Sequence, residues 1–231
     1  MNLDRRHEIT RLEAFSDALF AFALTLLVVS LEVPHSYHDL MMLVRGFLPF
    51  GCCFTLLVWI WYEHSLYFTT YRLHDRLAVV LKAALLFVLF YVYPLKYVFT
   101  QMFAFLLPQA RSETLTPDEL AHIFVIYGLG YAAVFSLFAL LYHHAWRRRA
   151  ALGLTPLEAL GARLEMGSQL LSAAIGVLAA MWAIFSPRHY GRVSISGFMY
   201  MLMGPVHGAY GAWQGKQRRA LEWATRSPLG P

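Results

Sequence analysis

Charged residues are scarce in this 231-residue chain, because Asp, Glu, Lys and Arg make up only 14% of it, against about 25% in an ordinary soluble domain. Residues of the AVILMFWYC set make up 58%, and the mean hydropathy is +0.50. A core of this size cannot hide so much apolar surface from water, and disorder requires the opposite composition. The composition excludes a soluble or disordered protein and predicts a membrane protein.

Cysteine is also nearly lacking, since Cys52 and Cys53 are the only two and stand side by side in an apolar run. A disulfide scaffold needs many more, so we interpret this pair as packing residues. The sequence contains no Walker motif, no Gly-x-Ser-x-Gly elbow, no Cys-x-x-Cys and no His-Glu-x-x-His. Nothing specific therefore points to an enzyme, and we expect none.

Long apolar stretches are plentiful, and six of them reach the roughly 20 residues that cross a bilayer. They cover approximately 13–33, 46–70, 78–107, 119–145, 157–186 and 193–214. The fourth and fifth are preceded by Thr116-Pro117 and Thr155-Pro156 with acidic residues just after, which is typical of a capped helix start. The predicted fold class is all-α: a polytopic membrane protein with six transmembrane helices per subunit.

The basic residues predict the orientation of these spans. With six spans both termini lie on one side, and that side holds fourteen of the 19 Lys and Arg residues. The positive-inside rule then places both termini in the cytoplasm. We attribute the net charge of +5 to basic residues that set the orientation of the spans, and not to binding of nucleic acid. We expect a cytoplasmic N-terminus over 1–12, a transmembrane domain over 13–215 and a basic cytoplasmic tail over 216–231.

The cytoplasmic end of the first span carries an unusual set of polar residues. Asp17 lies about one turn inside the span, where an ionised side chain is costly unless it faces protein or water. One interpretation is a helix-start acid favoured by the helix dipole. The other is a packing lock, in which Asp17 and Ser16 bond to donors on a neighbouring helix. The residues alone leave both open.

The same end of this span carries a recognisable motif. Arg11, Phe15, Ser16 and Asp17, with Thr25 eight residues beyond the aspartate, resemble the signature of the transmembrane protein 175 potassium channel family in its single-repeat prokaryotic form. Six spans in about 230 residues agree with that resemblance.

The second span adds Trp61-x-x-His64 with Phe68 beyond, which is similar to the end of that family's second helix. The resemblance implies that the motif of the first span, from Arg11 to Asp17, is bonded to second-span residues, of which Trp61 and His64 are the candidates.

The resemblance also implies an architecture and an activity. It implies a homotetramer in the plasma membrane of a prokaryote, with a central pore lined by the first helix of each subunit. It implies passive conduction of monovalent cations, with potassium preferred over sodium and no carbonyl-lined filter. Potassium is then the permeant ion, and we expect no cofactor and no resident metal.

Pore residues follow from the resemblance and are compatible with the helical spacing. The family's constriction is a branched aliphatic residue five positions after the aspartate, where this chain has Phe22, and Thr25 matches its polar pore residue. Residues at intervals of three or four share one helix face, although spacing alone does not tell a pore from lipid or another helix. A ring of apolar side chains can gate by dewetting. This face comprises Phe15, Ala18, Phe22, Thr25, Leu26, Val29 and Val33.

Two further features of the spans have open interpretations. Glu32, at the outer end of the first span, is either an outer-mouth acid that attracts cations as a ring of four or an interfacial acid in water. In the sixth span, Gly204 and Gly208 repeat at an interval that allows close helix packing, as do Gly211 and Gly215.

A second class of function is also compatible with the sequence: a small secondary transporter or a haem-binding membrane redox protein. It would use the ten histidines, with His64 and His207 as axial haem ligands, or Lys96 as a coupling group. Most of the histidines lie near predicted membrane ends, where solvation is the simpler explanation.

Overall fold

The computed structural model describes residues 11–29, 33–73, 75–90, 97, 99, 115–187 and 189–226. Every regular element in these ranges is helical. In chain order they are α1 (Arg11–Val29), α2 (Tyr37–Arg45), α3 (Phe47–Tyr71), α4 (Arg76–Phe90), α5 (Pro117–Arg147), α6 (Pro156–Phe185), α7 (Tyr190–Val193), α8 (Ile195–Phe198), a 3-10 helix (Met199–Leu202) and α9 (Met203–Arg226).

Among the described helices, α1, α5 and α6 are long and apolar enough to cross a membrane. The short helix α2 and the long helix α3 meet at a bend of 42° and together make a fourth candidate span. These helices correspond to the first, second, fourth and fifth predicted spans. Helix α4 begins the third, most of whose remainder lies outside the described residues.

The predicted sixth span over 193–214 contains several short helices before α9, and the count of six spans stays a prediction. The chain forms α7, α8 and the 3-10 helix in quick succession, and α9 begins only at Met203. Glycine and serine, which are poor helix formers in a helix interior, recur through this broken part at Gly191, Ser194, Ser196 and Gly197. Helix α9 then runs on through Lys and Arg residues, well past the predicted end.

The helix starts predicted at Thr116 and Thr155 are confirmed, and both are complete capping boxes. The Thr116 hydroxyl accepts from the Glu119 N–H at 3.3 Å, and the Glu119 carboxylate accepts from the Thr116 N–H at 2.8 Å. Thr155 and Glu158 repeat the arrangement at the same distances. Each cap satisfies backbone donors that a helix start leaves open, and such a cap contributes about 1 kcal/mol.

Helices α5 and α6 cross at two glycines, where their backbones approach each other closely. A Cβ atom on Gly128 would lie 2.7 Å from the backbone oxygen of Gly176, and one on Gly176 would lie 2.9 Å from that of Gly128. Ala180 packs beside the same point. Lipid provides no hydrophobic force between helices, so such close backbone contact is a main source of association within a membrane.

The predicted glycine face of the sixth span does not perform this role within the subunit. A Cβ atom on Gly204, Gly208 or Gly211 would meet no atom of the described residues within 4 Å. Packing between copies of the chain, the other role that this spacing allows, stays a prediction.

Helix α3 is attached to α5 through an aromatic core. The Tyr67 hydroxyl donates to the backbone oxygen of Leu141 at 2.8 Å, and the rings of Tyr67 and Tyr142 meet edge to face at 5.1 Å. All three side chains are buried. This contact joins α3, against which α1 packs, to α5, against which α6 packs.

A polar cluster joins the start of α4 to the end of α5. The Asp75 carboxylate lies 2.8 Å from His144 Nε2 and 3.2 Å from an Arg148 guanidinium nitrogen, and its other oxygen accepts from the Ala78 N–H. His144, expected to be a solvated interfacial histidine, is instead buried here. Burial acts to raise the pKa of Asp75, but the hydrogen bonds from His144 and Ala78 and the charges of His144 and Arg148 outweigh it and hold that pKa below its usual value.

We expect Gly128→Ala to destabilise the subunit, since the added methyl would press on the backbone of α6, and overpacking of this kind costs about 1–3 kcal/mol. Thermal unfolding in detergent measures it. Gly51→Ala, at a helical position with open space around it, is the control. Equal unfolding temperatures for the two variants would contradict the proposed role of the crossing.

Asp75 gives a pH-dependent prediction. Because its folded pKa is below the unfolded value, its contribution to stability is present above the unfolded pKa of about 3.9 and is lost as pH falls through the folded one. Thermal unfolding of the parent chain and of Asp75→Asn should differ above about pH 5, and the difference should shrink as the pH falls below about 4. A difference that does not shrink on acidification below about pH 4 would contradict a contribution from the ionised carboxylate.

Candidate functional site

Helix α1 packs on the subunit by one narrow side only. Its buried residues are Ser16, Phe20 and Leu27. In the apolar stretch of α1 only 17% of the residues are buried, against 44% in both α5 and α6. A helix so little covered by its own subunit must find its other neighbours in lipid, water or further copies of the chain.

The face predicted from the helical spacing is the side that the subunit leaves uncovered. Phe22 is 53% exposed and Val29 is 71% exposed. Phe15, Ala18 and Thr25 are exposed as well, and Leu26 is half-buried. We call the residues Phe15, Ala18, Phe22, Thr25, Leu26 and Val29 the α1 stripe. Glu32, the predicted outer-mouth acid, lies outside the described residues.

Thr25 is the polar residue in the middle of the α1 stripe. Its hydroxyl donates to the backbone oxygen of Ala21 at 2.8 Å, so its proton is directed into the helix. A hydroxyl oxygen also has lone pairs, and on an exposed residue these are available to a cation or a water molecule.

Asp17 and Trp61 connect α1 to α3. The indole Nε1 of Trp61 donates to Asp17 Oδ1 at 2.9 Å, across 44 residues of sequence. A hydrogen bond to a carboxylate is about twice as strong as a neutral one. The contact fixes the N-terminal part of α1 against α3, and with it the rotation of the α1 stripe.

Ser16 does not take part in that connection among the described residues. Its hydroxyl donates to the Leu12 backbone oxygen at 2.8 Å, within α1 itself. A donor on another helix for the Ser16 oxygen, as the lock interpretation expected, stays a prediction. The role of Ser16 here is steric, because this small side chain is fully buried where α1 approaches the rest of the subunit.

His64 contacts α1 through ring packing. Its imidazole is buried between Phe20 of α1, at 5.4 Å between ring centroids, and Phe68 of α3, at 4.8 Å. Neither ring nitrogen has a hydrogen-bond partner in the described part of the chain. Arg11 lies exposed in the first turn of α1. Of the two second-span candidates, Trp61 bonds to the motif and His64 packs against its helix.

His207, the second histidine of the haem interpretation, is held by two polar neighbours. Its Nε2 lies 3.0 Å from the Ser172 hydroxyl and its Nδ1 lies 3.0 Å from the Met203 backbone oxygen. A carbonyl oxygen can only accept, so Nδ1 carries the proton in the neutral ring. Both nitrogens of His207 therefore have protein neighbours, and the His64 ring is packed between two phenyl rings.

Lys82 is a residue whose importance the sequence analysis missed. It was counted only among the basic residues of the cytoplasmic side, yet its side chain is 1% exposed. Its Nζ lies 4.0 Å from the centroid of the Phe68 ring. The available signal was its position four residues inside the predicted span 78–107, where a charge needs a specific environment.

Three comparisons show which known proteins this chain is similar to. Residues 11–94 match the model of the family described as endosomal/lysosomal potassium channel TMEM175. The chain is 34% identical over 227 residues to a protein of Marivirga tractuosa named potassium channel, covering 94% of this chain and 92% of the relative. It is also similar to the crystal structure of a variant of the potassium channel MtTMEM175, bound to a nanobody fusion, with 31% identity, a TM-score of 0.78 and coverage of 94% and 99% of the two chains.

We expect Trp61→Phe to weaken the attachment of α1 because it removes the N–H donor and keeps an aromatic ring. The loss should be about 1–2 kcal/mol, as for a partly exposed hydrogen bond to a charged acceptor. Thermal unfolding in detergent measures it. Trp59→Phe is the matched control, since the Trp59 N–H bonds only within α3, to Glu63 at 3.2 Å. Equal losses in both variants would show that the bond to Asp17 has no special role.

Proposed function

The chain belongs to the TMEM175 family of potassium channels, and we propose that it is a potassium-preferring cation channel that conducts passively through a pore lined by α1. The matched relative and the matched structure are both named potassium channels. Channels of this family are not enzymes, and the chemistry required is ion desolvation and passage.

The observation that carries the proposal is the uncovered α1 stripe. Thr25 places a hydroxyl in the middle of this apolar face. Contact with lipid alone would not require a polar group there. Four copies of the subunit arranged around an axis would cover the stripe with one another and turn Thr25 towards the permeation path. The bond between Trp61 and Asp17 would hold each copy in that rotation.

The proposed constriction is a ring of four Phe22 side chains. Such an apolar ring expels water and leaves an ion unsolvated, which closes the path without a moving plug. Thr25 lies one helical turn further out and would offer hydroxyl oxygens to an ion that has lost part of its hydration shell. Leu26 and Val29 would continue the apolar wall, with Glu32 at the outer mouth.

Selectivity in this proposal does not come from a carbonyl-lined filter. Helix α1 is continuous from Arg11 to Val29, so the backbone carbonyls along the stripe accept helical hydrogen bonds. Side chains are then the groups that face the ion. Potassium would be preferred because it gives up hydration water more readily than sodium at a narrow apolar ring.

The assembly that this mechanism requires is a homotetramer in the plasma membrane of a prokaryotic cell. Both termini would lie in the cytoplasm, and the basic ends of α5 and α9 would face the same side. Its partners would be the bilayer and monovalent cations, without a cofactor.

Potassium and sodium uptake into liposomes that carry the purified protein tests the proposal, with an ionophore at the end to measure intact vesicle volume. We expect passive uptake that favours potassium. Uptake of neither ion by an intact oligomer, or uptake that requires a co-substrate, would contradict a channel and favour a secondary transporter.

Phe22→Ala tests the constriction in the same assay. Truncating the ring widens the path and lets a hydrated ion pass, so we expect sodium uptake to rise about tenfold or more, as for a barrier lowered by about 1.4 kcal/mol. Val28→Ala is the control, because Val28 is an exposed apolar residue of α1 that lies off the stripe. Unchanged sodium uptake in Phe22→Ala would show that Phe22 does not form the constriction.

A further inference from the structure

The second half of α9 carries basic and aromatic side chains that the subunit leaves uncovered. Lys216, Arg219 and Trp223 follow one another at intervals of three and four residues, so they lie on one face of the helix. All three are exposed, and Trp223 is 77% exposed. We call these three residues the α9 surface.

Another side of α9 is attached to α6. The Gln214 amide donates to the backbone oxygen of Leu164 at 3.0 Å, and the Arg218 guanidinium pairs with the Glu165 carboxylate at 3.1 Å. The charge of Arg218 is therefore balanced within the subunit. Within the described residues, neither cation of the α9 surface is paired with a carboxylate.

The contacts with α6 also indicate the depth of the α9 surface in a membrane. Helix α6 is a candidate span, and it contains no Asp, Glu, Lys or Arg from Met166 to Phe185. This uncharged run is long enough to cross the hydrocarbon core of a bilayer, which takes about 20 residues. Glu165, the partner of Arg218, directly precedes the run. The part of α9 around Arg218 therefore lies where the hydrocarbon ends and the lipid headgroups begin.

The Arg219 side chain is held in a position from which it can bind an anion. Its Nε donates to the backbone oxygen of Gly215, one helical turn earlier, at 3.1 Å. This bond uses one N–H group of the guanidinium and leaves those of the two terminal nitrogens. A guanidinium matches the geometry of a phosphate, and Lys216 brings a second cation to the same face. Residues three apart on a helix are neighbours, so one phosphate can be bound by both.

Trp223 indicates which kind of phosphate this surface takes. An indole has a large apolar body and one N–H group, and tryptophan is enriched where membrane lipid meets water. A soluble phosphate would be bound by the two cations alone and would not require an exposed ring beside them. The headgroup layer of an anionic leaflet accepts both the ring and the cations.

We propose that the α9 surface binds the headgroups of anionic phospholipids, with Lys216 and Arg219 on the phosphate and Trp223 among the headgroups. The occupant is a lipid because the surface combines positive charge with an interfacial side chain at the edge of the hydrocarbon. The same surface of a second copy would bring like charges together, which is unfavourable. This inference takes the side of the membrane from the proposed function and does not depend on conduction.

The experiment measures thermal unfolding of the full chain in detergent, with added phosphatidylglycerol or with phosphatidylcholine of the same acyl chains. A lipid that binds only the folded protein stabilises it. We expect phosphatidylglycerol to raise the unfolding temperature of the parent chain by roughly 4–8 °C more than phosphatidylcholine does. This excess should disappear in the double variant Lys216→Gln with Arg219→Gln and fall to about half in each single variant.

The matched control is Arg147→Gln with Arg163→Gln. It removes the same amount of positive charge from two exposed residues, at the end of α5 and in the first turns of α6. The control should keep the full effect of phosphatidylglycerol, because the α9 surface is intact. A loss as large as in the α9 double variant would show a response to net charge alone and would overturn the proposal.

Three further outcomes would also overturn it. One is an equal unfolding temperature of the parent chain in the two lipids. Another is an equal rise with glycerol 3-phosphate, which carries the phosphate without acyl chains, since the surface would then bind free phosphate. The third is a change in the mass of the oligomer in the α9 double variant without added lipid, which would make the surface a contact between copies. Thermal unfolding requires no conduction, so absent potassium uptake would count against the proposed function alone.

Discussion

The hydrogen bond from the Trp61 indole to the Asp17 carboxylate is the contact on which the arrangement of α1 depends. It holds the helix near its N-terminus while only Ser16, Phe20 and Leu27 are buried along its length. With so small a buried side, rotation of α1 by one residue would replace the stripe at the surface with other side chains. A directional, charge-assisted bond resists that rotation better than apolar packing, which has little preferred orientation.

The hydrogen bond to Asp17 can hold α1 in place because its donor, Trp61, belongs to a helix that is itself fixed. Trp61 belongs to α3, α3 is bonded to α5 through Tyr67, and α5 is in backbone contact with α6 at Gly128 and Gly176. In a bilayer, helices associate through close packing and polar contacts instead of the hydrophobic effect, and each link in this series is of one of those kinds. The series leads from the closely packed pair α5 and α6 to α1, of which only a narrow side is buried.

Much of this arrangement could be predicted from the sequence where a local rule applies. The starts of α5 and α6 follow from Thr-Pro and nearby acids, and residue spacing indicates which residues share the stripe of α1, although not that this face is exposed. Contacts between distant residues could not be predicted in this way. Neither helix alone indicates that Gly128 pairs with Gly176, and the environment of Lys82 depends on Phe68 of another helix. The short helices before α9 were not predicted, because the hydropathy of this segment resembles that of a span.

The central claim is that the α1 stripe faces a water-filled path for ions, and the accessibility of a cysteine at Thr25 tests it most directly. In a background without Cys52 and Cys53, Thr25→Cys and Val28→Cys would each be exposed to a cationic thiol reagent added outside liposomes, with potassium uptake as the readout. The account predicts that the reagent blocks uptake through Thr25→Cys and leaves Val28→Cys unaffected. Block through Val28→Cys with Thr25→Cys unmodified would contradict it, since the path would then run along a different face of the helix.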